Sequence, residues 1–183
     1  MARIHVLDPT EADGRAKELL DAVQVKLGAT PNSMKAMAGS AVLEGYLGLS
    51  SALASGSIRP AIAERIALGV AESNGCSYCL SAHSYVAEHA LKIAADEITH
   101  ARTYRSSDAE AQAALRFAEA VLRGRGAVPA EEFDAARAAG LTDAGLAEIV
   151  AHVALNVLTN FFNHAFEIDI DFPVVAASLR TAA

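Results

Sequence analysis

Apolar residues in this chain recur at the three-and-four spacing of a helix and never alternate over more than a few positions. Alanine is abundant and tryptophan absent, so neither pattern nor composition favours strands, and the chain reads as all-α. The spacing predicts helices over about 10–27, 31–39, 40–55, 60–73, 76–90, 94–104, 108–123 and 129–139. A last long helix opens at Thr142, whose hydroxyl can cap it, and runs to an Asp171-Phe-Pro173 stop, with an arm beyond. Gly28, Gly124 and Gly140 read as C-terminal stops. Pro60 opens its helix where a missing N–H costs nothing, and Asn74-Gly75 breaks it.

At 183 residues the chain suits one domain, a single-domain helical bundle over 1–183 with an N-terminal extension over about 1–30. Fifteen basic against twenty-two acidic side chains give a net charge of -7, and no Lys/Arg block tracks a phosphate backbone, so no nucleic-acid partner is expected. The start lacks a signal-peptide pattern and no run approaches the roughly twenty apolar residues of a membrane span. A cytoplasmic protein with no membrane partner is the expectation. In a reducing compartment a paired-cysteine motif is more often catalytic or metal-binding than a staple.

Both cysteines lie in Cys76-Ser-Tyr-Cys79-Leu-Ser-Ala-His83, with Glu64 twelve residues earlier in an apolar helical run. On a helix at about 100° per residue, Cys76, Cys79 and His83 span an arc of roughly 60°, so the three share a face. Residues three apart are roughly 5 Å apart at Cα, within reach of a disulfide. A helix N-terminus and a nearby imidazole both favour a thiolate. Glu64 interrupts the stripe of Ala61, Ala67, Leu68 and Ala71, where a carboxyl suits proton transfer, although a plain surface charge has the same spacing. The cysteines could equally be small buried apolar groups. Zinc held by Cys76, Cys79, His83 and one of the distant His89, His152 or His164 is a further alternative, weakened because no second CxxC or HxxxH follows. His5, His89, His100 and His152 individually read as solvent-facing or packing histidines.

The residues Glu64, Cys76-x-x-Cys79 and His83 at this spacing resemble the alkylhydroperoxidase D-like branch of the carboxymuconolactone decarboxylase family. The stretch from Asn156 through Asn160 and Asn163 to His164, with the Asp171-Phe-Pro173 ending, is similar to its peroxidase-related subgroup. The resemblance implies a thiol-dependent peroxidase without a cofactor or resident metal. In that role Cys79 would attack the peroxide, Cys76 would resolve, and Glu64 with His83 would relay protons. It further implies a peroxide substrate, an external dithiol or thiol-protein reductant, and a homo-oligomer, trimer or hexamer. Tyr78 stands where the best-known members have a histidine, removing one proton-transfer group and leaving a phenol that can orient substrate or water. Asn160 and His164 are auxiliary candidates, His164 by approaching the same cavity. A lactone decarboxylase is the alternative enzyme, disfavoured because that reaction has no use for two thiols, and a redox-sensing or zinc-binding module is the alternative outside enzymes. Laying Glu64 on Glu148, an offset of eighty-four, suggests two related helical halves with Cys76 on Asn160, Cys79 on Asn163 and His83 on Glu167.

Overall fold

The computed structural model describes residues 2–178, and among these it contains helices and no strands. The helices are α1 Gly14–Leu27, α2 Asn32–Met37, α3 Ala41–Ala54, α4 Pro60–Ser73, α5 Ser77–His89, α6 Ala95–Ala101, α7 Ala109–Arg123, α8 Ala130–Ala138 and α9 Asp143–Ala165. The all-α reading holds, with ends displaced at α1 and α9. Asp8 accepts from both Thr10 N (2.8 Å) and Thr10 Oγ1 (2.7 Å), a local turn that competes with helix and delays α1 to Gly14.

α4 is the hub, packed by α5, α6, α7 and α9, and this explains why the run Ile66–Ala71 is buried on every side rather than along one stripe. Ile62, Ile66 and Val70 join Leu115, Phe117 and Ile149 in one core cluster, while Leu68 and Ala71 join Leu80 and Ala87 in a second. The free N–H groups before α4 are met from α9: Glu148 accepts from Ser57 N (2.7 Å) and Ile58 N (3.1 Å). A carboxylate at a helix N-terminus is worth about 1 kcal/mol.

Between α4 and α5 the chain reverses at Gly75, whose φ of 69° is open to glycine at no steric cost. Cys76 N then bonds Ala71 O at 2.9 Å, so the cysteine pair is tied to the last turn of α4.

α9, at 23 residues, has the length and hydropathy to cross a membrane, contrary to the expectation that no run would. Here it is a core helix, packing on α4 and α7. It ends at Ala165, several residues before the anticipated Asp171. Glu167 takes a φ of 48° and Ile168 N turns back to Asn163 O at 3.2 Å, ending the helix through a non-glycine residue. The segment beyond is a strap rather than an arm. Val175 N donates to Ser81 Oγ (2.9 Å), Ala177 N to Ser77 Oγ (3.2 Å) and Ser178 N to the buried Glu72 (2.7 Å).

The eighty-four-residue offset does not describe two matching helix pairs. It lays the Asn74-Gly75 break on Leu158-Thr159, which lies inside the continuous α9.

Candidate active site

Cys76 is the N-cap of α5 rather than a residue of its first turn, and its sulfur accepts from Cys79 N at 3.2 Å. The two thiols are unbonded and buried, their sulfurs 2.6 Å apart. That position gives Cys79 the donors of the helix start and a neighbouring thiol to donate to it.

Asn163 Nδ2 in α9 points at Cys79 Sγ across 3.3 Å. Its orientation is fixed because Asn163 Oδ1 accepts from Ser33 Oγ at 2.7 Å, leaving the amino group for sulfur. Asn160 is held in the same way, accepting from Asn74 Nδ2 at 2.8 Å. The hydrogen bond from Cys76 is the largest influence lowering the Cys79 pKa. Burial opposes it, while the charge of His83 and the amides of Asn163 and Asn160 reinforce it. The same bond from Cys76 to Cys79, with burial, raises the Cys76 pKa far above the ordinary thiol range, so Cys76 stays protonated.

Glu64 on α4 and His83 on α5 meet, Oε1 to Nδ1, at 2.7 Å. Both are partly buried, so the surface-charge reading of Glu64 does not hold. Arg65, the alternative partner, is turned to Glu97 instead. Burial works against a charge on His83, but the adjacent Glu64 carboxylate, with Cys79 and Asn156, outweighs it and raises the His83 pKa.

Cys79, Glu64 and His83 line one cavity of about 210 Å³, together with Tyr46, Met34 and Phe172. Cys76 opens instead to a separate cleft beside Ser77, His164 and Glu167. His164 therefore does not approach the Cys79 cavity: it is exposed and its Nε2 pairs with Asn74 O at 3.0 Å. Tyr78 Oη accepts from Ser33 N (3.0 Å) and donates to Asp171 (2.8 Å), so it fastens α2 and the strap to α5. Burial raises its pKa well above that of a free phenol, and it offers no base.

Four contributors were not singled out as site residues from the sequence: Ser33, Tyr46, Asn156 and Asn163. Asn156 and Asn163 sat in the quoted Asn-rich stretch, but Ser33 and Tyr46 had no local signal. His152 also departs from its expected role. It is buried, and its Nε2 has no hydrogen-bond partner. Among the described residues no group of three or more His, Cys, Asp or Glu side chains is placed to hold a metal ion.

The site sets a cysteine pair at the start of α5 against a Glu–His pair that bridges α4 and α5. Residues 40–124, spanning α3 to α7, match the family model described as the carboxymuconolactone decarboxylase family. The chain's fold is shared with a peroxidase-related protein of Ralstonia eutropha JMP134 with an alkylhydroperoxidase AhpD core, at TM-score 0.82 and 23% identity, covering 93% of this chain and 92% of that one. A peroxidase-related protein of Silicibacter sp. TM1040 aligns at TM-score 0.75 and 24% identity over 90% of each chain. The debrominase Bmp8 in complex with 2,3,4-tribromopyrrole aligns at TM-score 0.77 and 22% identity, over 92% of this chain and 91% of that one. No curated protein matches the chain.

Proposed function

We propose that the protein is a thiol-dependent peroxidase in which Cys79 attacks and Cys76 resolves. The observation that carries this reading is that Cys79, and not Cys76, shares a cavity with the Glu64–His83 pair. Cys79, its pKa lowered, yields its proton to solvent or His83 and attacks one oxygen of a hydroperoxide. The O–O bond breaks, Cys79 becomes a sulfenic acid, and His83 protonates the departing alkoxide to an alcohol. Cys76, held protonated 2.6 Å away, then condenses with the sulfenic acid, forming the disulfide and releasing water. An external dithiol returns the pair to two thiols and is itself oxidised. The exposed Val150, Leu158 and Phe161 on α9 support the homo-oligomer in the same reading.

Similarity to a debrominase fold gives a second reading, reductive removal of halogen from a small haloarene. There Cys79 would take the halogen as a sulfenyl halide, a proton would replace it on carbon, and Cys76 would displace halide to form the disulfide. A lactone decarboxylase has no use for the dithiol.

The test is consumption of cumene hydroperoxide, hydrogen peroxide and a bromopyrrole with dithiothreitol as donor, in wild type, Cys79→Ser and Cys76→Ser. Peroxide turnover that disappears in Cys79→Ser is expected. Inactivity toward both peroxides, or activity surviving Cys79→Ser, overturns the peroxidase, and bromopyrrole turnover alone favours the second reading.

A further inference from the structure

The two cysteines line different hollows. Cys79 shares its cavity with Glu64 and His83, whereas Cys76 lines a cleft of about 190 Å³ with Ser77, His164, Glu167, Ile168 and Ile170. Their sulfurs are 2.6 Å apart, so a disulfide between them joins two residues that border separate spaces. A thiolate that breaks a disulfide approaches along the S–S axis from beyond the sulfur it attacks, and access decides which sulfur that is. The peroxide chemistry above uses the Cys79 cavity and gives the Cys76 cleft no part.

We propose that the dithiol reductant enters by the Cys76 cleft and attacks Cys76, so that substrate and reductant reach the cysteine pair by separate routes. This rests on the dithiol cycle of the proposed function. One thiolate of the reductant bonds to Cys76 Sγ, the Cys76–Cys79 bond breaks, and its electron pair leaves on Cys79 as a thiolate. The reductant's second thiol then attacks the reductant sulfur in that mixed disulfide. It closes the reductant's own disulfide and passes its proton to the departing Cys76. The reductant has given two electrons, and the pair is again one thiolate and one thiol.

Leaving-group chemistry favours the same direction, because the sulfur expelled most readily is the one whose thiolate is best stabilised. Once Cys76 is bonded to the reductant it no longer donates to Cys79, but the charge of His83 and the amides of Asn163 and Asn160 still act on that sulfur. Asn163 Nδ2 stands 3.3 Å from it. Cys76, expelled instead, would rely on the N–H groups of Cys79 and Tyr78 against its burial. Attack on Cys79 would also bring the reductant into the cavity where the Glu64–His83 pair serves the peroxide. The volume of the Cys76 cleft admits a slender dithiol of the size of dithiothreitol.

The test starts from protein whose Cys76–Cys79 disulfide has been formed with diamide. Brief exposure to 2-mercaptoethanol, a quench with N-ethylmaleimide and peptide mass spectrometry then locate the mixed disulfide. It should lie on Cys76 in about tenfold excess over Cys79. Two variants separate the routes, each checked for folding by circular dichroism. Ile170→Trp, which narrows the Cys76 cleft, should slow reduction by dithiothreitol about fivefold or more and leave iodoacetamide alkylation of Cys79 in the reduced protein as in wild type. Ala82→Phe, which fills the Cys79 cavity, should slow that alkylation and have the smaller effect on reduction. A mixed disulfide shared evenly or found mainly on Cys79 overturns the proposal. So does reduction that is indifferent to Ile170→Trp, or slowed as much by Ala82→Phe. No peroxide is involved, so a protein inactive toward peroxides can still pass this test, and attack on Cys79 by the reductant leaves the peroxide step standing.

Discussion

Asn163 Nδ2 donates to Cys79 Sγ at 3.3 Å, from a helix eighty-four residues away in sequence. The direction of that amide is enforced by Ser33, which donates to its oxygen at 2.7 Å. The Cys79 thiol is therefore tuned by a relay from α2 through α9 as well as by its own helix.

Removing the amide should cost thiolate. In Asn163→Ala the Cys79 pKa rises, and its alkylation by iodoacetamide at pH 6 should slow about three- to tenfold, since a charge-assisted hydrogen bond is worth about 1 kcal/mol or more. Ser33→Ala should give a smaller slowing of the same sign. Unchanged rates in both variants would show that the amide does not stabilise the sulfur.

The Glu64–His83 pair has its own pH signature. Glu64 raises the His83 pKa, and the charge on His83 in turn lowers that of Cys79. In Glu64→Gln the imidazole loses its proton at lower pH and Cys79 loses a neighbouring cation. The pH–rate profile for Cys79 alkylation should move to higher pH, with a drop of about threefold or more at pH 6.5. A profile that stays in place counts against the electrostatic link.

Acid stability should depend on Glu97, away from the site. The Ser106 hydroxyl, then the Ser107 N–H, and more weakly Arg65 lower its pKa to about 2 from 4.5. A lowered carboxylate pKa stabilises the fold fully above the unfolded value. That contribution fades as pH falls from about 4.5 to about 2. Glu97→Gln should lose about 2 kcal/mol at pH 7, with the gap to wild type closing across that window in urea titrations.

Gly69 lies inside the hub helix because nothing larger fits. A Cβ there would sit 2.6 Å from Tyr104 Cε1 and 2.9 Å from its Cδ1. Tyr104 cannot retreat freely, being buried, at a φ of 56° and hydrogen-bonded to Ser73 at 3.1 Å. Gly69→Ala should destabilise by about 2 kcal/mol and lower Tm by about 5 °C, against the helix propensity of alanine. A rise in Tm would mean the ring moves at no cost.

Much of the framework was legible locally. Pro60 at a helix start, the Asn74-Gly75 reversal and the Glu64, Cys76, Cys79, His83 spacing are encoded within a turn or a hairpin, where sequence separation fixes distance. That is why α4 and α5 appear at or within a residue or so of the read positions. The end of α9 was missed because Glu167 adopts a left-handed φ with no glycine to announce it. The strap was missed because its partners are serine hydroxyls and a carboxylate on other elements. The sequence by itself determined the all-helical class and the paired thiols. Only the tertiary structure decided that Asn163, oriented by Ser33, addresses Cys79, that Cys76 faces another cleft from Cys79, and that His152 is buried with its Nε2 unpaired. Those facts depend on which helix faces which, and packing sets that through contacts that local spacing does not carry.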